Sequence, residues 1–162
     1  MIGLKTKVTD NLSKKMEEIQ KQLELLTKYR LIVKFNENVE YDDGTKVEKV
    51  ALWMEYGKDS FNVHYPARPF WRSALDGNVD RIKRRFINNA KQVSMGKMEA
   101  RKCFEDIGKQ VVSMIQKSIL EGEYEALAES TVRKREKEGK GIQPLIDTRT
   151  MLENIEYEVT EV

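Results

Sequence analysis

Leu12, Met16, Ile19, Leu23 and Leu26 follow one another at steps of four and three, which predicts an amphipathic helix from Asp10 to Thr27 with lysines and glutamates on its other face. The residues before it read as a loose start. A coiled coil needs more heptads, so this N-terminal element, 1–28, is expected to dock on the domain's own sheet or on a neighbouring subunit. Tyr29 to Asn36 then alternates Tyr29, Leu31, Val33 and Phe35 against polar positions, with Ile32 as the exception, and reads as a half-buried strand. Val39–Tyr41 is expected to return as a short strand, and Asp42-Asp43-Gly44 as a turn. Thr45 and Glu48 have capping-box spacing, and Val47, Val50, Ala51 and Met54 continue at helical steps until Gly57 ends the helix in a left-handed cap. Phe61 to Tyr65 alternates as a further strand.

Tyr65-Pro66-Ala67-Arg68-Pro69-Phe70-Trp71-Arg72 is a junction between extended and helical chain. Each proline fixes its own φ and biases the residue before it to extended geometry, and Pro69 suits the first turn of a helix through Leu75. In the next helix Val79, Ile82, Phe86, Ala90 and Val93 share one face, with Arg81, Arg84, Arg85 and Lys91 opposite, until Gly96 breaks it. Cys103, Phe104, Ile107, Val111, Met114 and Ile115 stripe a long helix ending near Gly122, with Gly108 at the stripe's edge, where another backbone is expected to come close. Glu129-Ser130-Thr131 opens a short helix through Arg135, and 133–142, charged and nearly without apolar residues, is expected to be a mobile loop. Asp147 or Thr148 then caps a turn holding Met151 and Leu152, and Ile155, Tyr157 and Val159 alternate as a closing strand. The pattern predicts one α+β domain, 1–162: a small antiparallel sheet packed against long amphipathic helices.

The chain has 162 residues, 29 basic and 27 acidic, for a net charge of +2. That balance argues against non-specific nucleic-acid binding by the chain as a whole, while leaving room for a local basic stripe. One cysteine excludes an internal disulfide framework and fits a reducing compartment. No apolar run reaches membrane-span length and no signal-peptide core is visible, so a soluble protein made in a cytoplasm is expected. His64 is the sole histidine and Cys103 lies on an apolar helical face, a poor basis for a nucleophile, a triad or a zinc site. Gly139-Lys140-Gly141 lacks phosphate-loop spacing, and Asp42-Asp43, Glu121/Glu123/Glu125 and Asp147 sit in separate segments that form no acid–base or magnesium pair. No enzyme, cofactor or metal is therefore expected.

In combination the motifs resemble a family. Ala51-Leu52-Trp53-Met54-Glu55-Tyr56-Gly57 followed by Pro66-Ala67-Arg68-Pro69-Phe70 is similar to the Glu-aromatic-Gly helix end and proline-alanine-arginine-proline-phenylalanine signature of small tail-component or neck proteins of tailed bacteriophages and prophages. Leu127 to Val132 with Lys134, and Pro144-Leu145-Ile146-Asp147-Thr148 with Leu152, Asn154-Ile155 and Tyr157-Glu158-Val159, resemble its later segments, so the likeness covers roughly 45 to 160 in order. Arg149 stands where the family often has glycine and Asn154 where it often has serine, which implies that Arg149 need not adopt a glycine-only backbone here.

The resemblance implies a structural protein of the virion neck or tail, made in a bacterial cytoplasm, that works as a homo-oligomeric ring against neighbouring connector or tail proteins. A ring needs two different patches per subunit. The candidates are the junction residues Tyr65, Arg68, Phe70, Trp71 and Arg72, and the loop residues Arg133, Lys134 and Arg135. Phe70 and Trp71 are expected to divide between interior and contact. The alternative is a nucleic-acid-binding α+β module that lays Arg81, Arg84, Arg85 and Lys91 along phosphates.

Overall fold

The computed structural model describes residues 2–60 and 63–162. Its elements are α1 (Ile2–Lys28), β1 (Tyr29–Phe35), α2 (Val47–Tyr56), β2 (Lys58–Ser60), β3 (Val63–Tyr65), α3 (Phe70–Asp76), α4 (Val79–Ser94), α5 (Ala100–Glu121), α6 (Glu129–Lys137), α7 (Thr150–Glu153) and β4 (Ile155–Glu161). This is an α+β fold in which small antiparallel sheets accompany a helical majority. Lys28 O accepts from the Val162 N–H at 2.8 Å and Asn154 O from the Asn36 N–H at 2.9 Å, which fixes β1 and β4 as antiparallel neighbours. The second sheet is the hairpin β2–β3, with Lys58 opposite Tyr65. Phe61, expected to open a strand, lies outside the described residues.

The residues gather into two compact units. The first comprises Met1–Ile32, Asp80–Gln110 and Tyr157–Val162, the second Val33–Val79 and Val111–Glu156.

In the first unit the apolar faces of α4 and α5 supply Val93, Ala100, Cys103 and Ile107 to the interior. Phe104 meets Phe86 and Tyr29 edge-on, at centroid distances of 5.6 and 6.0 Å. Ile19 of α1 packs where a Cβ on Gly96 would sit, and Gln22 accepts the Ala100 N–H at 2.8 Å, satisfying a free donor at the start of α5. Gly108 does face a close neighbour, but the neighbour is the Tyr157 ring rather than a backbone: a Cβ there would lie 2.5 Å from Tyr157 Cδ2. Helix α1 starts at Ile2 instead of Asp10, because no proline interrupts the turns ahead of the periodic stripe.

In the second unit α2 packs against α3 and α7, around Phe35, Val47, Phe70, Ile115, Ile119, Met151 and Leu152. Several local expectations change here. Val39–Tyr41 makes only the isolated bridge Glu40–Lys46. Thr45 is engaged in the turn that its carbonyl closes with the Tyr41 N–H, so α2 begins from Lys46 with no side-chain cap. Pro69 stands just before α3, at its cap, not within its first turn. Neither Asp147 nor Thr148 caps α7. The preceding residue is Arg149, which holds φ 63 in the left-handed region despite its side chain. The expectation that Arg149 escapes a glycine-like backbone is thereby overturned.

Candidate interaction surfaces

The chain from Glu55 to Arg72 is one hydrogen-bonded unit. Glu55 lies in the last turn of α2, the end at which a carboxylate is unfavourable for its own helix dipole. It is buried and serves a different helix: its carboxylate accepts the Trp71 N–H at 2.8 Å, the Arg72 N–H at 3.1 Å and Arg72 Nε–H at 2.9 Å. Glu55 is therefore the cap of α3, supplied from α2. Gly57, at φ 76, lets the chain turn back, and a Cβ on it would come within 3.0 Å of Tyr65 O and 3.1 Å of Ala67 N. The Arg68 N–H then donates to Met54 O at 2.6 Å. The Glu-Tyr-Gly and Pro-Ala-Arg-Pro-Phe sequences are thus two halves of one knot.

Arg68 and Phe70, both named as contact candidates, are interior, at 4% and 1% exposure, which corrects their reading as surface groups. The Arg68 side chain donates Nε–H to Glu125 O at 2.9 Å and Nη2–H to Ala126 O at 3.2 Å. Trp71 is half-buried against Phe35 at 5.6 Å, leaving Tyr65 and Arg72 as the exposed residues among the five contact candidates of the junction. The Arg72 guanidinium also lies 4.9 Å from the centre of the exposed Tyr56 ring, holding it in a cation–π contact.

The charged segment expected to be loose from residue 133 is helical through Lys137. Arg135 then gathers the chain that follows, its Nη1 donating to Gly141 O, Gln143 O and Ile146 O at 3.3, 3.1 and 2.8 Å. Arg133 is exposed and paired with Glu129 at 2.8 Å, and Lys134 is exposed on the rim of a groove of about 610 Å³. That groove runs between α2, β3, α6 and the approach to α7, and contains Tyr41, Trp53 and Leu127 as well as Arg68. Sequence reasoning missed Glu55 and the groove. The signal for Glu55 was a carboxylate at the wrong end of its own helix.

The basic row of α4 is incomplete. Arg81, Arg84 and Lys91 are exposed, but Arg85 is bidentate on Asp106 at 2.7 and 2.9 Å, and Asn89 adds a bond to the same carboxylate at 2.8 Å. Hydrogen bonding from Arg85 holds the Asp106 carboxyl down at about 2, from an ordinary 3.8. Its contribution to stability is therefore fully present above about pH 4 and is lost as pH falls towards 2. Because Asp106 is 33% and Arg85 53% exposed, solvent screening leaves on the order of 1 kcal/mol. Asp106→Asn should cost that much at pH 6 and progressively less as pH falls through 2, read from urea denaturation of both proteins across the range. Burial pushes the Cys103 thiol up to about 11, an unreactive state. Among the described residues no group of His, Cys, Asp and Glu is placed to hold a metal ion, and no helix is long and apolar enough to cross a membrane.

No family model, curated protein or solved structure matches the chain.

Proposed function

We propose that this chain is a structural assembly protein of the phage or prophage neck or tail type, acting through a ring of identical subunits and contacts with adjoining connector or tail proteins. The observation that carries this reading is that each compact unit displays its own apolar helix face. On α1, Leu12 and Met16 are 58% and 64% exposed; on α2, Leu52 and Tyr56 are 57% and 61% exposed. Two unlike patches on one chain are what a head-to-tail interface requires. Arg149 adds support, since its positive φ falls where the resembled family often carries glycine. In this chain the Glu55–Arg72 knot gives the resembled motif a scaffolding role, since the Glu55 carboxylate is spent on the start of α3.

Light scattering over a range of concentrations tests this, with Leu12→Glu and Tyr56→Glu as probes. The wild-type chain is expected to form species larger than a dimer, and each variant alone to remain monomeric. Mixing the variants should give heterodimers and nothing larger, because each keeps one intact patch. Monomers under every condition would overturn the ring.

A second reading rests on Arg81, Arg84 and Lys91, which remain exposed on α4. Duplex DNA binding that weakens steeply with salt and disappears in Arg81→Ala/Arg84→Ala would favour it. The capture of Arg85 by Asp106 counts against it.

A further inference from the structure

Arg68 is a buried cation with no carboxylate in direct ion-pair contact among the described residues. Its fork is held by two backbone carbonyls, and Nη1 meets only the Met54 sulfur, at 3.9 Å. Among the described residues no acid lies within ion-pair distance of it. Carbonyl oxygens orient a guanidinium without a direct ion pair, and the Glu125 carboxylate acts on Arg68 only from beyond ion-pair distance, so burying the charge is costly. Arg68 opens onto the 610 Å³ groove, whose charged side chains are four cations, Arg68, Lys134, Arg135 and Arg149, against two carboxylates, Asp43 and Asp147. Asp147 lies 3.8 Å from Arg135 and 3.7 Å from Lys140, and Arg149 lies 3.3 Å from Glu153, so these charges are already shared. Desolvation lowers the Arg68 pKa, the charge of the Glu125 carboxylate partly offsets that, and the neighbouring charge of Arg135 lowers it again.

The remaining lining mixes apolar and aromatic residues with hydroxyls such as Ser130 and Thr131, and Trp53 is held between Lys49 and Lys58 at 5.5 and 3.6 Å. One wall comes from β3, which pairs with β2 on one side only among the described residues. A lining whose cations outnumber its carboxylates, beside aromatic residues and a strand with one partner, suits an extended peptide bearing a carboxylate side chain between apolar residues. A phosphodiester would instead call for a denser row of cations or a cradle of N–H groups.

We propose that the Arg68 groove is a docking site for an acidic, extended segment of a partner protein, whose Asp or Glu carboxylate completes the ion pair that Arg68 lacks. This deepens the assembly reading by naming what the adjoining protein presents. A monomer can bind such a segment whether or not rings form, so the two readings fail separately.

The test uses the full chain carrying Trp71→Phe, so that Trp53 alone reports by fluorescence. The probes are the blocked peptide acetyl-Leu-Glu-Val-Tyr-Leu-amide, its Gln counterpart and inorganic phosphate. The Glu peptide should give a saturable change, and the Gln peptide should bind at least about tenfold more weakly, the loss expected when a charge-assisted bond goes unmade. Lys134→Ala/Arg149→Ala, both exposed and outside the interior, should fold normally and weaken the Glu peptide and its salt dependence. Arg68→Lys, which keeps the charge but loses the fork, should abolish the Glu-over-Gln preference. Equal binding of the two peptides, competition by phosphate at the peptide's own concentration, or no saturable change up to about 1 mM would each overturn the proposal.

Discussion

Phe70→Ala should lower the unfolding free energy by about 3–5 kcal/mol, the range for removing a fully buried aromatic ring whose space cannot collapse. The ring is 1% exposed and meets Phe35 and Trp71 edge-on, at 6.4 and 6.5 Å. It is also the first residue of α3, so the cavity would open where a short helix is anchored. Trp71→Ala should cost less, about 1–2 kcal/mol, because that indole is half-buried and its removal opens towards solvent. Urea denaturation of both variants gives the comparison, with an unchanged m-value as the check that each still unfolds as one transition. Equal losses would mean that the two aromatics do not divide as interior and rim.

Glu55→Ala should be the most damaging polar change, at about 2–4 kcal/mol. It removes three hydrogen bonds at once, leaving the Trp71 and Arg72 amides unsatisfied and Arg72 Nε without its carboxylate. A helix of seven residues does not stand by propensity, so α3 depends on this external cap. Glu55→Gln keeps acceptor geometry without the charge and should fall between wild type and alanine. Amide hydrogen exchange localises the effect: Trp71 and Arg72 should lose protection far more than buried α5 residues such as Ile115. Uniform loss across both helices would argue that Glu55 supports the whole unit rather than the start of α3.

Much of this fold was legible because burial follows period. The alternation of β1 and β4 and the stripes of α4 and α5 marked real interior faces: Phe35, Val93, Ile107, Ile115, Ile155 and Val159 are all buried. Failures came where a residue is claimed by something distant. Thr45 has the chemistry of a cap, but the Tyr41–Thr45 turn uses its backbone. Lys58-Asp59-Ser60 carries no apolar alternation, so β2 is invisible without its partner strand. Arg68 reads as a surface charge because arginine is usually one; only the carbonyls of Glu125 and Ala126, nearly sixty positions later, draw it inside. The groove was illegible for the same reason, being assembled from segments as far apart as Tyr41 and Met151.

The pairing of β1 with β4 also sets a timetable for synthesis. Asn36 bonds to Glu156 across 120 positions of chain, so on a ribosome β1 emerges long before the strand that completes its sheet. At 5–20 residues per second the wait is on the order of ten seconds, ample time for the helices between them to form and pack. During that interval the Leu31, Val33 and Phe35 edge stands open as a sticky template. Nascent chains on one message are then exposed to pairing with one another, and the arrival of β4 covers one of the two edges of β1.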